Sequence, residues 1–130
     1  MKVLTGIAGL TAIALLLSGC WFLPITLDSS ADGTVQSVEV GDTILIRLSG
    51  NVSTGNQWIR IEPTSFDGSS LQALEEGKYA PDDPDVCGGP GTFTFRYEAV
   101  ASGTVELTFA YKRPWEDEQT DGFTVIIWAK

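Results

Sequence analysis

The stretch Thr92-Phe93-Thr94-Phe95-Arg96-Tyr97-Glu98-Ala99 decides the fold. Its apolar side chains fall on Phe93, Phe95, Tyr97 and Ala99, with Thr, Arg and Glu between them. A period of two puts one face in a core and the other in water, which is a strand and not a helix. The alternation recurs downstream in Val105, Leu107, Phe109 and Tyr111, and again in Phe123, Val125 and Ile127. Upstream, Ile44, Ile46 and Leu48 repeat it. β-Branched and aromatic residues fill all these runs, so each reads as a half-buried strand.

Weaker strand candidates cover 35–40, 57–61 and 71–79. The last contains LQALEEG (71–77), which by propensity also suits a helical turn. Turn pairs punctuate the gaps: Gly41-Asp42, Gly50-Asn51, Asp67-Gly68, Ser102-Gly103 and Asp121-Gly122. No segment has a helical period long enough for a strand–helix–strand unit. The expectation is an all-β, immunoglobulin-like β-sandwich of about seven or eight antiparallel strands, occupying residues 34–130.

The N-terminus is of another kind. Lys2 precedes an uncharged apolar run from Ile7 to Leu17, which fits a secretory leader and is too short to cross a bilayer. The run closes on Leu17-Ser18-Gly19-Cys20, which resembles a bacterial lipobox, where the Cys is acylated and becomes the new N-terminus. An ordinary signal peptide with an incidental Cys is the plainer alternative. Residues 1–19 are thus expected as a lipoprotein signal peptide and 20–33 as the lipidated Cys20 with a tether. The place expected for the protein is the bacterial cell envelope, held to the membrane through the lipid. Trp21, where Asp would signal inner-membrane retention in a Gram-negative envelope, points to the outer membrane. With Cys20 acylated, Cys87 has no partner, and stability rests on the core alone.

Composition excludes much chemistry. The 130 residues hold no His, so neither a Ser-His-Asp nor a Cys-His nucleophile pair can be built, nor an imidazole metal site. A net charge of −9 excludes nucleic acid as a partner. Neither cofactor nor metal is expected, and the chain should be a monomer without enzymatic activity.

Three connections are longer than hairpins need: Ser49–Asn56 (SGNVSTGN), Pro81–Gly91 (PDDPDVCGGPG) and Lys112–Gly122 (KRPWEDEQTDG). If the strands alternate in direction, all three project from one end of the sandwich, as antibody variable loops do. Each has a modest reading of its own. The first reads as a loop that simply links two strands. Asp82, Asp83 and Asp85 read as a solvated acidic turn, since they lack the spacing of a calcium loop, and Cys87 as an incidental thiol. Trp115, after Arg113-Pro114, is either a lid on the core or an exposed anchor of the kind enriched at binding hot spots.

Taken in order, the three loops resemble those of the chagasin family, inhibitors of papain-like cysteine peptidases. That family carries an N-P-T-T-G-aromatic loop with a Trp soon after, a G-x-G-G loop before an F-x-F strand, and an R-P-W loop before the last strand. Here Asn51-Val52-Ser53-Thr54-Gly55-Asn56 with Trp58, then Val86-Cys87-Gly88-Gly89 ahead of Phe93-Thr94-Phe95, then Arg113-Pro114-Trp115 stand at those places. Val52 departs from the family's Pro, Asn56 from its aromatic and Val86 from its first Gly. The resemblance implies a reversible, non-covalent inhibitor whose loops plug the peptidase cleft. The residues it implicates in binding are Asn51, Ser53, Thr54, Gly55, Cys87, Gly88, Gly89, Arg113, Pro114 and Trp115. The competing expectation is an envelope lipoprotein with an adhesion or spacer role and no peptidase target.

Overall fold

The computed structural model describes residues 23–130. The leader and the Cys20 motif lie outside the described residues. Eight strands form two four-stranded sheets: β1 (Ile25–Leu27), β3 (Thr43–Gly50), β6 (Gly91–Ala99) and β5 (Leu71–Pro81) in the order β1-β3-β6-β5, and β2 (Thr34–Val38), β8 (Asp121–Ala129), β7 (Gly103–Lys112) and β4 (Gln57–Glu62) in the order β2-β8-β7-β4. The immunoglobulin-like sandwich expected from the alternation is therefore the fold.

The inward residues are those the period of two selects. Ile44, Ile46, Phe95, Tyr97, Leu107, Phe109, Val125 and Ile127 are each at most 1% exposed. Phe95 and Phe109 join the two sheets with ring centroids 4.6 Å apart, and Phe109 meets Phe123 at 5.9 Å. Tilted aromatic pairs of this kind add to the area they remove from water. Among the described residues Cys87 is the cysteine, and it is free and exposed.

Two expectations change, and one open alternative is decided. The long strands pair antiparallel, but β1 runs parallel to β3 and β2 parallel to β8. The reason is that the chain crosses between the sheets twice before β3. A 3₁₀ turn at Ser29–Ala31, capped by the Asp28 carboxylate and burying Ala31, makes the first crossing. Residues 25–33, expected as tether, thus belong to the folded body. Residues 71–77 form strand and no helical turn, because β5 pairs with β6 along its length and buries Leu71.

β5 is not straight. Its register against β6 shifts between Ala73 and Glu75 and again between Glu75 and Lys78. Bulges re-aim side chains, and here Glu76 reaches across the open side of the sandwich to Arg60 on β4. Arg60 meets both carboxylate oxygens, and the Tyr97 hydroxyl donates to Oε1 at 2.7 Å. Arg60 also bonds the Pro63 carbonyl and lies 4.3 Å from the Phe66 ring centroid. Partial burial works against the charged form of Glu76, but the bonds from Arg60 and Tyr97 prevail and hold its carboxyl below the ordinary 4.5. Burial, then the adjacent carboxylate, push the Tyr97 phenol well up. This bracket joins the free edges of the two sheets.

Candidate functional site

The three long loops follow β3, β5 and β7, and strand direction brings them to one end. β3 and β6 meet there at Gly50 opposite Gly91. Both positions exclude a side chain: a Cβ on Gly50 would lie 2.8 Å from the Phe93 ring and 2.9 Å from the Tyr111 ring, and one on Gly91 2.3 Å from Tyr79. Aromatic rings thus form the floor on which the loops sit. Trp58 belongs to this floor: it is 7% exposed, its indole N–H donates to the Ser49 carbonyl, and its ring packs 5.2 Å from Tyr111.

The first loop is wound tightly. Residues Val52–Thr54 make a 3₁₀ turn capped by the Asn51 side chain, whose Oδ1 accepts from the Ser53 amide at 2.9 Å and from the Ser53 hydroxyl at 2.6 Å. The Thr54 hydroxyl donates to the Asn51 carbonyl. Gly55 ends the turn at φ 85°, a left-handed conformation that only Gly adopts cheaply. A Cβ there would stand 3.2 Å from the Trp115 ring. Gly55 is therefore required for its backbone, and its bareness lets the exposed Trp115 ring lie close above it.

Loop-to-loop bonds weld the segments together. Asn51 Nδ2 donates to the Gly88 carbonyl at 2.9 Å, joining the first loop to the second. Arg113 Nε donates to the Thr54 carbonyl at 3.0 Å, joining the third to the first. Arg113 also pairs with Glu116 at 3.3 Å, and Lys112 Nζ donates to the Glu116 carbonyl, which fixes the turn around Pro114. The second loop closes on itself through Asp82 N–H to the Pro90 carbonyl and Thr92 hydroxyl to Asp82. Of the residues singled out from the sequence, Asn51, Thr54, Gly55, Gly88, Arg113 and Trp115 are thus brought into one ridge. Ser53, Cys87 and Pro114 sit exposed along it, and Gly89 is half-buried beside Gly88. Trp115 resolves as an exposed side chain and not a core lid, at 73% exposure.

Two contributions were not visible as such in the sequence. The Tyr111 hydroxyl accepts from the Asn51 amide at 2.8 Å and donates to the Asn51 carbonyl at 3.1 Å, so β7 anchors the first loop from below. Its signal was an inward Tyr one residue before the end of a strand, where its polar tip has to find a partner near the loops. Val52 and Val86, departures from the family pattern, stand 41% and 50% exposed. Each loop therefore presents one apolar side chain outward: Val52, Val86 and Trp115. Among the described residues no group of His, Cys, Asp and Glu is placed to hold a metal ion.

The structure is thus an immunoglobulin-like sandwich with three loops cross-bonded to one another at one end. The chain belongs to the chagasin family of peptidase inhibitors: the model of that family, described as Chagasin family peptidase inhibitor I42, matches residues 37–127. Chagasin of Trypanosoma cruzi is 32% identical over 98 residues, covering 74% of this chain and 89% of its own length. Amoebiasin-1 of Entamoeba histolytica is 25% identical over 99 residues, covering 75% and 90%. The fold is shared with the cysteine protease inhibitor EhICP2 of Entamoeba histolytica (TM-score 0.66, 21% identity, 82% of this chain and 94% of that one). It is shared too with PbICP-C, solved in complex with falcipain-2 (TM-score 0.51, 20% identity, 82% and 98%). The family is one of protease inhibitors, and the protein is not an enzyme.

Proposed function

We propose that this protein inhibits papain-like cysteine peptidases reversibly and without covalent chemistry, by setting the three-loop ridge into the catalytic cleft. The observation that carries the reading is the pair of bonds Asn51–Gly88 and Arg113–Thr54, which hold three separate segments as one body before any partner arrives. Loops ordered in advance lose little entropy on docking. An interface of standard size removes on the order of 1,600 Å² from water.

The first loop would face the catalytic thiol, with Thr54 and Gly55 nearest. Its backbone is curled into a 3₁₀ turn pinned by Asn51. Attack on a peptide carbonyl needs near-attack alignment, and a curled, hydrogen-bonded turn presents no extended scissile bond. The loop fills the cleft without being cut. Gly88 and Gly89 would run along one wall, and Arg113 and Trp115 would pack on the primed side.

We read Cys20 as the lipid attachment point, which places the inhibitor in the bacterial envelope, as a monomer. The deciding experiment is titration of papain with the soluble domain beginning after Cys20. Stoichiometric, reversible loss of activity is expected; a panel of papain-like peptidases left fully active would overturn the assignment.

A further inference from the structure

We infer that the end of the sandwich opposite the three loops rests on the lipid surface, so that the loops face away from the membrane; this rests on the reading of Cys20 as the acylated residue. The direction of β1 is the first ground. β1 runs parallel to β3 with Ile25 opposite Ile44, at the start of β3, while the binding loop leaves from the end of β3. The chain therefore enters the fold at the pole remote from Asn51.

The second ground is length. Because the fold begins at Ile25, only five residue steps separate Cys20 from it. Fully extended, these span at most about 18 Å. The headgroup layer of one leaflet takes up roughly 5–8 Å of that. The remaining reach, on the order of 10 Å, keeps the entry pole beside the bilayer.

The third ground is what the pole exposes. Leu23 is 75% exposed, Val40 47%, Val100 43% and Trp128 48%. They belong to one end: Gly41 N–H bonds the Ala99 carbonyl and Lys130 N–H the Val38 carbonyl, tying the 39–42 turn, the β6–β7 turn and the C-terminus together. Lys130 Nζ stands 5.1 Å from the Trp128 ring centroid. A Trp beside a Lys is a pairing suited to the headgroup zone, with the ring among the upper acyl carbons and the ammonium among the phosphates. Glu39 and Asp42 share this pole, so the fitting surface is zwitterionic and not strongly anionic. An acylated Cys with a second, apolar contact would hold the domain in one attitude.

The test uses the full chain, processed and acylated in a bacterial host and reconstituted into phosphatidylcholine vesicles. A nitroxide is placed on the native Cys87, and separately on V40C in a C87S background. Power-saturation measurements then compare collisions with lipid-dissolved oxygen and with the water-soluble nickel chelate Ni(II)EDDA. The label at position 40 is expected to favour oxygen and the label on Cys87 to favour the nickel chelate, a reversal of sign across the molecule. Adding V100E and W128E, both at exposed positions, should return the label at 40 to water. Protein that floats with the vesicles but shows both labels equally open to the nickel chelate would overturn the orientation and leave the anchor standing. Protein that fails to float would overturn both. Papain titration of vesicles carrying the unlabelled protein reports on inhibition separately.

Discussion

The side-chain amide of Asn51 donates to the carbonyl oxygen of Gly88 at 2.9 Å, across 37 residues of chain. The same side chain accepts from the amide and the hydroxyl of Ser53. One residue thus shapes the first loop and fastens it to the second. Its backbone is in turn held from beneath by the Tyr111 hydroxyl, and Arg113 closes the far side of the ridge. On the proposed reading inhibition depends on this surface being assembled in advance, and its variants should separate affinity from stability.

Asn51→Ala removes the cap of the 3₁₀ turn and the bond to Gly88. Each net hydrogen bond contributes about 0.5–1.5 kcal/mol, so the inhibition constant for papain should rise roughly ten- to a hundredfold. The loop lies outside the core, so the melting temperature should move little. Tyr111→Phe strands the part-buried amide of Asn51 and should raise the inhibition constant and lower the melting temperature together, with about 1–2 kcal/mol lost in urea unfolding. Inhibition constants and unfolding curves for the two variants check this; equal melting-temperature losses would contradict it.

Trp115→Ala deletes the largest exposed side chain on the ridge. A buried aromatic anchor contributes at least about 2 kcal/mol to binding, or roughly thirtyfold. At 73% exposure in the free protein its loss should leave stability unchanged. A papain titration that gives the wild-type constant would remove Trp115 from the interface.

Cys87→Ser should inhibit fully. The thiol is exposed and has no disulfide partner among the described residues, and no His exists in the chain to activate it. Dilution of the complex should restore peptidase activity for both proteins. Loss of inhibition in the variant, or failure to recover on dilution, would indicate thiol exchange in place of simple docking.

The Arg60–Glu76–Tyr97 bracket makes stability depend on pH. The folded-state pKa of Glu76 lies below its ordinary 4.5, so the unfolded chain binds the extra proton first. Its contribution is therefore complete above that value and is lost as pH falls through the lower, folded one. Tyr97 acts at the other limb: with its phenol shifted up from 10.0, its contribution is whole below that value and is lost as pH climbs further. Glu76→Gln should flatten the acid limb of a plot of urea midpoint against pH while lowering the plateau. An acid limb as steep as that of the parent would assign the loss to other carboxylates.

Much of this protein is written in local chemistry. A period of two in four segments determined the all-β class and chose the buried residues, because a strand turns successive side chains to opposite faces whatever the rest of the chain does. Long Gly- and Pro-bearing gaps marked the loops, and the residues within them supplied the family resemblance. Other features exist only through contacts distant in sequence. Asn51 could not be known to hold Gly88, nor Tyr111 to hold Asn51, until the sheets had packed. The bulges that bring Glu76 to Arg60 depend on how β5 registers against β6, and no pattern in 71–81 announces them. The parallel pairing of β1 and β2 was hidden for a similar reason: three to five residues are too few to show a period, and their place at the sheet edges is granted by the strands they join.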